Sequence, residues 1–589
     1  MNLEQLISEG VVGAVKSLYD VDLTTDKIAL NETIKDYKGD LTVVVFPLTR
    51  HSKLGPEPTG QAIGEVLKKA LAIVNDFNVV KGFLNLEIND SFYLDFFKKS
   101  CKDSNYGEGK GGRKIVLEYC GPNTNKPLHL GHIRNMLLGF STANVLEFAG
   151  HKVHKVNIYN DRGIAICKSM LAWQKFGNGE TPESTNTKGD HFVGQFYVEF
   201  DKHLKKEVAE LVEGGMAKDQ AEKEASLLHE SQAMLVKWEQ GDKEVLALWE
   251  RMNGWCYEGF EKTFEALGVD FEKHYKESEY YLRGKELVEE GLKKDYFYKK
   301  DDGSVWVDLE DKGLDQKLLL RGDGTSVYIT QDMGIAEARY EDYNFDESIY
   351  VVASEQDYHF KVLQLVLEKM GKPYAKGIYH LSYGLVNLPD GRMKSREGTV
   401  VDADDLIEEM IATAEAHTKE LGKVDDFSSE EAQSLYNDLA LGALKYFILK
   451  VNPKRSVIFN PEESIDFQGN TGPFIQFNYV RIQSLLRKQS VGDIAFNTID
   501  LNAEEKELIK ELYKYPAIIQ LAAKNYDVSE ISSYAFSLAK NYSKFYANTG
   551  ILGDTEENTK YFRLQLSKWT GEVLKSAFSL LGISMPDRM

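Results

Sequence analysis

The sequence has few cysteines, and their spacing excludes two kinds of structural element. Only four occur in 589 residues, and none forms a Cys-x-x-Cys pair. Disulfide frameworks and structural zinc sites need clustered cysteines, so we expect neither, and we predict no metal site built by the protein. The chain also lacks an uncharged apolar run of the roughly 18 residues that cross a bilayer, and its first residues lack the regions of a signal peptide. We therefore expect a cytoplasmic protein without a membrane partner.

An excess of basic residues is absent as well. The formal net charge is −21, from 71 Lys and Arg against 92 Asp and Glu, which favours solubility and does not indicate a general polyanion binder. The charge is uneven, because residues 471–589 carry nearly equal numbers of basic and acidic side chains. A nucleic-acid partner would therefore have to use local basic patches, with an affinity that falls as salt rises.

Length and pattern predict a multidomain α/β protein. A chain of 589 residues is too long for one core. Residues 1–108 are predicted as a small α/β domain that ends in a glycine-rich linker. Residues 109–400 alternate strands and helices as in a Rossmann-like domain, with a charged helical insertion at about 172–305. Residues 401–460 are predicted as a helical connection, and residues 461–589 as a C-terminal helical bundle.

The strongest chemical signal is a loop between a predicted buried strand and a predicted helix. The loop ends in His129-Leu130-Gly131-His132. Backbone N–H groups and the positive end of the dipole make a helix start a binding site for phosphates. His129 and His132 can lie side by side on one turn and stabilise charge on a nucleotide, while Gly131 leaves room for the adenine. Two ordinary histidines at a helix start are the alternative, which the preceding strand and the Pro-Asn-x-x-Lys-Pro loop disfavour.

The stretch EYCGPNTNKPLHLGHIRN, which begins at Glu118, closely resembles the signature region of arginyl-tRNA synthetases, a class I family. The resemblance covers almost the whole chain and is weakest in the insertion. It implies a Rossmann-like catalytic domain whose substrates are L-arginine, ATP with Mg²⁺, and tRNA(Arg). It also implies two steps, formation of arginyl-adenylate and transfer of the arginyl group to the terminal ribose of the tRNA. A monomer that needs bound tRNA to activate arginine is implied too.

A second basic loop, LPDGRMKSREG, resembles the Lys-Met-Ser-Lys-Ser loop of class I synthetases imperfectly. Arg392 stands at the first lysine, Lys394 at the first serine, and Ser395 at the second, catalytic lysine. Two alignments of the loop are possible, one of which places Lys394 a step early, and an ordinary basic turn is a further interpretation. By the resemblance, Arg392, Met393 and Ser395 bind ATP and Lys394 is a secondary phosphate contact. Lys126 is then the candidate for the catalytic role of the lysine that the signature loop lacks.

A guanidinium substrate needs planar, charged acceptors. The segment SVYITQDMG places Tyr328 and Asp332 four residues apart, hence on one face if a helix begins there, and it resembles the arginine-binding segment of the family. By that resemblance Asp332 pairs with the guanidinium, Tyr328 supports it and Gln356 adds a polar contact. Glu118 and Asn123 match the residues that hold the amino and carboxylate ends of arginine. A helix cap is the alternative for Asp332.

Contacts with tRNA are implied for both ends of the chain. The segment GPFIQFNYVR resembles a helix of the family's anticodon-binding domain, with Phe474 and Phe477 in place of the usual tyrosines. Stacking on a base needs only a π face, although a core aromatic stripe explains the spacing as well. Met589 matches a final methionine near the anticodon. Asn85 is the candidate contact to the tRNA D-loop, with strand packing as its alternative, and Arg162, at the place of a family tryptophan, receives no role.

Three other functions fit parts of the pattern. A small-molecule nucleotidyltransferase shares the His-x-Gly-His motif and forms adenylates, but it seldom has separate N-terminal and helical C-terminal domains. A non-catalytic RNA-binding relative would have no need of His129, His132, Lys126 and Asp332. A synthetase of another specificity is the nearest alternative, against which Asp332 and Tyr328 favour arginine.

Overall fold

The computed structural model describes residues 2–34, 36–387, 401–420, 426–553 and 556–589. The chain divides into two compact units that are each made of three segments. The first unit comprises Met1–Tyr106, Leu485–Lys514 and Lys540–Gly571, and the second comprises Gly107–Ser484, Tyr515–Ala539 and Glu572–Met589. Residues 461–589, predicted as one helical domain, are therefore divided between the units. None of the helices that the structure describes combines the length and apolar composition that crossing a bilayer requires.

The N-terminal part of the first unit is an antiparallel sheet with helices, in the strand order β1-β2-β4-β3. Its elements are α1 Leu3–Tyr19, β1 Leu30–Glu32, β2 Leu41–Val44, α2 Thr49–Ser52, α3 Pro56–Ala70, β3 Val74–Val80, β4 Phe83–Ile88 and α4 Asp90–Ser100. Helix α1 begins after Asn2, whose side chain accepts a hydrogen bond from the N–H of Gln5. The helix buries Ile7, Val11 and Ala14 at helical spacing.

The second unit is built on a five-stranded parallel sheet with the order β12-β11-β5-β6-β7. The elements of its sheet and of the helices between the strands are β5 Lys114–Glu118, α5 Leu130–Phe148, β6 Lys152–Tyr159, α6 Ile164–Phe176, α7 Pro182–Thr185, α8 Gly189–Glu213, α9 Lys218–Glu224, α10 Ser226–Glu239, α11 Lys243–Leu267, β7 Lys273–Lys276, α12 Glu277–Lys293, β8 Tyr298–Lys299, β9 Val305–Val307, β10 Lys317–Leu320, α13 Tyr328–Tyr343, β11 Glu347–Ala353, α14 Asp357–Lys369 and β12 Ile378–Tyr383. Ile115, Val116 and Leu117 of β5 are all buried, as is usual for a central parallel strand covered on both faces.

Strand β7 corrects the predicted extent of the insertion. It lies inside the segment 172–305, which was predicted as helical, yet it pairs with β6 as the edge of the parallel sheet. Its sequence, Lys-His-Tyr-Lys, buries only Tyr275. A short, charged edge strand leaves no apolar run in the sequence, so the pattern concealed it. The small antiparallel sheet β10-β9-β8 follows α12.

Helices dominate the rest of the chain. The remaining elements are β13 Val386–Asn387, α15 Ala403–Glu420, α16 Ser429–Leu449, β14 Val457–Ile458, α17 Pro461–Ser464, α18 Gly472–Lys488, α19 Ala503–Asn525, α20 Ser529–Asn548 and α21 Glu557–Leu580. Strands β13 and β14 pair in parallel on either side of the segment that contains α15 and α16. A core of the second unit packs against the parallel sheet and includes Val116, Tyr275, Met333 and Val366.

Candidate active site

A cleft of about 830 Å³ lies at the carboxyl ends of the parallel strands, where α/β sheets bind their ligands. Most of the predicted nucleotide- and arginine-binding residues line it, namely Glu118, Lys126, His129, Gly131, His132, Tyr328, Asp332 and Gln356. Asn123 is not among the lining residues. It is exposed and forms an isolated parallel bridge with Asn160, so the structure places it beside the cleft.

The two histidines are oriented by the backbone at the start of α5. Nδ1 of His129 accepts a hydrogen bond from the N–H of Gly131 at 3.1 Å, and Nδ1 of His132 accepts one from the N–H of His129 at 3.1 Å. The two ring centroids are 3.9 Å apart. Because an accepting ring nitrogen carries no proton in neutral imidazole, the proton of each ring is assigned to Nε2. The sequence motif thus produces two hydrogen-bond donors on one helix turn.

Charge at this end of the cleft is set by burial. Burial, with a smaller contribution from Lys126, lowers the pKa of His129 to about 4. Burial also holds the pKa of His132 well below its usual value, with smaller effects of His129 and Lys126, and burial lowers the pKa of Lys126. Both imidazoles are therefore neutral donors near pH 7. A bound phosphate that neutralised Lys126 would remove the contribution of Lys126 to the lowered pKa of each histidine.

Asn135, which the sequence analysis did not single out, holds three strand ends together. Its Oδ1 accepts from the N–H of Cys120 at 2.6 Å, and its Nδ2 donates to the carbonyl of Val351 at 2.7 Å and to the hydroxyl of Tyr383 at 3.1 Å. Cys120 has a φ of 80°, a backbone region that residues with side chains rarely adopt. Asn135 therefore fixes the ends of β5, β11 and β12 around the cleft.

Arg134 was also missed, although it directly follows the motif. It is fully buried and donates to the carbonyls of Leu385 at 3.3 Å, Pro453 at 3.1 Å and Arg455 at 2.5 Å. Burial lowers its pKa to about 10, so it remains a cation at neutral pH. The guanidinium thus attaches α5 to the backbone next to β13 and β14.

The predicted second loop falls between two segments that are both attached to the start of α5. On one side, Arg134 binds the carbonyl of Leu385. On the other side, the N–H of Leu130 donates to the carbonyl of Val401 at 3.1 Å, and the N–H of Ala403 donates to the carbonyl of Leu128 at 3.0 Å. The four residues predicted on the loop itself lie outside the described residues: Arg392, Met393, Lys394 and Ser395.

Helix α13 begins at Tyr328, so Tyr328 and Asp332 lie on one helical face as predicted. Val327 occupies the N-cap position, which excludes the helix-cap alternative for Asp332. Tyr328 is 82% exposed at the cleft. Asp332 accepts a hydrogen bond through Oδ2 from Nε2 of His359, which follows the start of α14. This end of the cleft therefore carries an aromatic ring and an acceptor that already has one protein partner.

Glu277 is a second carboxylate near Asp332 that the sequence analysis missed. Its Oε1 accepts a hydrogen bond from Nε2 of Gln331 at 2.8 Å. Burial raises its pKa to about 7, with further contributions from the charges of Asp161 and Asp332, while Arg162 acts in the opposite direction. Glu277 follows β7 directly, and its position at a strand end was concealed because that strand was assigned to the insertion.

Arg162 is directed towards the helices that follow α6. Its guanidinium lies 3.8 Å from the ring centroid of Tyr281 and 5.3 Å from that of Trp238. Its Nη2 is 3.0 Å from a carboxylate oxygen of Glu239. The residue that the sequence left without a role therefore joins the end of β6 to α10 and α12.

The predicted tRNA-binding residues differ in exposure. Phe474 is half-buried, with its ring centroid 5.6 Å from that of Phe536. Phe477 is half-buried beneath the guanidinium of Arg481, 4.8 Å from its ring centroid, and Met589 is also half-buried. Each of the three retains some exposed surface.

Asn85, on β4, is only 1% exposed. Its Oδ1 accepts from the hydroxyl of Thr42 at 2.6 Å, and its Nδ2 donates to Oδ1 of Asn78 at 2.9 Å. The amide is therefore occupied within the sheet, which favours the strand-packing interpretation over a direct tRNA contact.

One cluster outside the cleft resembles a metal site by geometry. Ligand atoms of Asp190, His191 and Asp404 lie within 4.8 Å of one another. Nζ of Lys188, however, is 2.5 Å from a carboxylate oxygen of Asp404 and 3.3 Å from one of Asp190. An ammonium group thus already supplies the positive charge of this cluster.

Comparison with known protein families agrees with this fold and cleft. Residues 100–460 match the model of the catalytic domain of class I (R) tRNA synthetases, and residues 475–589 match the DALR anticodon-binding domain. The fold and the site therefore define a class I aminoacyl-tRNA synthetase. The chain belongs to the arginyl-tRNA synthetase family, which confirms the resemblance drawn from the signature region and excludes the alternative functions.

Individual relatives agree with the family model. The arginine–tRNA ligases of Bacteroides thetaiotaomicron, Amoebophilus asiaticus and Porphyromonas gingivalis are 51%, 50% and 47% identical, and the alignments cover 100% of this chain and of each relative. Among solved structures, the arginyl-tRNA synthetase of Thermus thermophilus superposes with a TM-score of 0.81 at 22% identity, covering 100% of both chains. That of Plasmodium falciparum superposes with a TM-score of 0.78 at 19% identity, covering 100% of this chain and 99% of the other.

Proposed function

We propose that the cleft described above forms arginyl-adenylate and then charges tRNA(Arg), with its two ends assigned to the two small substrates. The enzyme is an arginine–tRNA ligase. The observation that carries the assignment is the pair of neutral imidazoles beside Lys126 at the start of α5. Phosphate oxygens are the natural acceptors for such donors, so ATP belongs at this end.

At the phosphate end, Nε2–H of His129 and of His132 donate to the oxygens on which charge develops as the adenylate forms. The carboxylate of arginine attacks the α-phosphorus of ATP, and pyrophosphate leaves. Lys126 compensates charge on the phosphates, which is the part we assign to it in place of the signature lysine. Preorganised donors in a partly buried site act more strongly than water does. Gly131 leaves space for the nucleotide beside the helix start.

Magnesium enters this scheme as the complex of Mg²⁺ with ATP. Lys126, His129 and His132 at the phosphate end offer cationic or neutral groups and no carboxylate. Mg²⁺ prefers oxygen ligands and retains several waters and substrate phosphates. The residues present therefore fit an ion held by the ATP itself, where it would neutralise phosphate charge, and we assign it no protein ligand.

At the arginine end, Asp332 and Glu277 together bind the guanidinium. A planar cation with five N–H donors can share both carboxylates. Tyr328 covers the guanidinium from the open side, and Gln356 adds a polar contact from the short turn before α14. Glu118, at the end of β5, holds the amino group. Asn123 remains a candidate for the substrate carboxylate, although it lies beside the cleft.

In the second step a hydroxyl of the terminal ribose attacks the arginyl carbonyl, and AMP leaves. The half-buried rings of Phe474 and Phe477, together with Met589, are proposed as contacts with the anticodon side of the tRNA. We further propose that the protein acts as a monomer in the cytoplasm.

Aminoacylation with arginine and bulk tRNA tests the reaction, and ATP–pyrophosphate exchange with and without tRNA tests the order of events. We expect charging with arginine only, and exchange only when tRNA is present. Exchange at the same rate without tRNA would contradict the proposed dependence. His129→Ala and His132→Ala should each lower exchange by about 100-fold, and an unchanged rate would contradict their role.

A further inference from the structure

Arg339 is a buried guanidinium that connects the two ends of the proposed arginine site. It lies on α13 seven residues after Asp332. Seven residues are nearly two helical turns, so both side chains leave the same helical face, about 10 Å apart along the axis. Arg339 contacts the carboxylate of Glu118 through Nη2 and Oε2. One rigid helix therefore carries the proposed guanidinium acceptor and the cation that holds the proposed amino-group acceptor.

The surroundings of Arg339 leave it little freedom. The residue has no exposed surface, and the Glu118 side chain is 13% exposed. The guanidinium carbon lies 5.1 Å from the ring centroid of Tyr275 and 5.2 Å from that of Tyr350. Burial alone would lower the pKa of Arg339, but Glu118 outweighs it and raises that pKa. Arg339 is therefore charged, and the orientation of Glu118, its anionic partner, is strongly determined.

Two nitrogens of Arg339, Nε and Nη1, have no hydrogen-bond partner among the residues that the structure describes. Unsatisfied donors in a buried position are costly, and a side chain that served only the core would be better replaced by an apolar one. The free-energy cost of these unsatisfied donors is accounted for if the function of Arg339 is to hold the carboxylate of Glu118 in place. Oε1 of that carboxylate accepts no hydrogen bond from the residues that the structure describes and is then available to a ligand in the cleft, which Glu118 lines.

We propose that Arg339 is a positioning residue that fixes the carboxylate of Glu118 relative to Asp332 and so sets the length of guanidino amino acid that the site accepts. The inference rests on the proposed function, because it takes Glu118 and Asp332 as the two ends of the arginine site. The ion pair between Arg339 and Glu118 joins strand β5 and helix α13 at this point. A change in that contact alters the distance between two ligand-binding groups without touching the ligand.

The test compares L-arginine with its homologues that are one methylene shorter and one methylene longer, in aminoacylation by the full-length enzyme. One methylene in a shaped pocket changes kcat/KM by about 10- to 200-fold. Arg339→Lys keeps the charge but shortens its reach, and Arg339→Met removes the charge. We expect both variants to reduce the preference for arginine over one of the homologues by about tenfold, through KM for the amino acid, with KM for ATP unchanged.

Two control variants separate this role from general damage and from failure of the site assignment. Arg563→Lys weakens another ion pair, between the half-buried Arg563 and the buried Glu505 in the first unit, and should lower the Tm without changing the preference between homologues. Glu118→Gln tests the site itself. If Glu118→Gln raised KM for arginine but Arg339→Lys left the preference between homologues unchanged, the inference about Arg339 would be overturned and the assignment of the amino-group site would stand. An unchanged KM in Glu118→Gln would overturn both the inference and the assignment of the amino-group site.

Discussion

At the proposed phosphate end of the cleft, Lys126, His129 and His132 lie within seven consecutive residues, whereas the three carboxylates of the proposed arginine end come from distant segments. Glu118 and Asp332 line the cleft, and Glu277 lies near Asp332. The partners of these groups differ too. Among the described residues, none of the three basic groups has an anionic partner, and burial lowers the pKa of each. Each carboxylate, by contrast, accepts a hydrogen bond from a protein side chain. The donors are Arg339 for Glu118, Gln331 for Glu277 and His359 for Asp332.

This difference indicates that the two ends of the cleft suit two substrates of opposite charge in different ways. The phosphate end holds groups whose charged forms are disfavoured until an anion arrives, so a triphosphate is matched with donors that have no competing ligand. The arginine end holds acceptors that are already oriented by internal donors. A guanidinium must share them, which favours a ligand of the right shape over a simple cation. The expected effects of mutation and pH follow from this contrast.

The largest effect is expected at the phosphate end. Lys126→Ala should lower ATP–pyrophosphate exchange by at least about 100-fold, because no neighbouring anion-binding cation in the described residues replaces it. Ser395→Ala should lower it far less, since a serine at the position of the signature lysine contributes no charge. Exchange rates measured in the presence of tRNA decide this, and nearly equal losses in the two variants would remove the special role of Lys126.

A smaller effect is expected when the charge of one shared acceptor is removed. Asp332→Asn keeps the shape and the contact with His359 but weakens a charged hydrogen bond worth about 1.5–3 kcal/mol. KM for arginine should rise about 10- to 100-fold, with little change in KM for ATP. Steady-state aminoacylation at varied arginine measures it. If KM for arginine stayed the same, the ionic role of Asp332 would be excluded, and the contrast between the two ends would fail.

The pH dependence of arginine binding should be smaller still. The pKa of Glu277 is raised to about 7, so its carboxylate is mostly protonated at pH 6 and mostly ionised at pH 8. The guanidinium stays charged over this range. KM for arginine should therefore fall as pH rises from 6 to 8, by up to about tenfold. Glu277→Gln should flatten the profile, and a profile of the same slope in that variant would show that another group titrates.

The smallest effect on catalysis is expected from substitution of Asn135, which holds the strand ends around the cleft. Asn135→Ala leaves the buried N–H of Cys120 and the carbonyl of Val351 without their partner, at a cost of about 1–3 kcal/mol for an unsatisfied group. Thermal unfolding should show a lower Tm, whereas KM for ATP and KM for arginine should change to a similar, small extent. A selective change at one end would show that Asn135 belongs to that end.

Sequence patterns predicted the positions of His129 and His132 well because the backbone geometry that places them is local. A buried strand, a loop and a helix start place His129 and His132 by backbone geometry alone. The shared face of Tyr328 and Asp332 was predicted on the condition that a helix begins there, and α13 does begin at Tyr328. Of the carboxylates proposed to bind arginine, the sequence indicated only some. Asp332 was proposed from the resemblance of its segment to the arginine-binding segment of the family, but Glu277 follows an edge strand too short and charged to be recognised.

By itself, the sequence determined the helix start that carries the two imidazoles and the face shared by Tyr328 and Asp332, and the resemblance of its signature stretch indicated the class of the protein. The helix start and the shared face depend on residues within a few turns of one another, where helix and strand periodicity is decisive. Only the tertiary structure decided that Asn85 is buried, that Glu277 stands near Asp332, and that Arg339 holds Glu118 from 221 residues away. Such contacts depend on strand order and helix packing, which join segments that no local pattern relates.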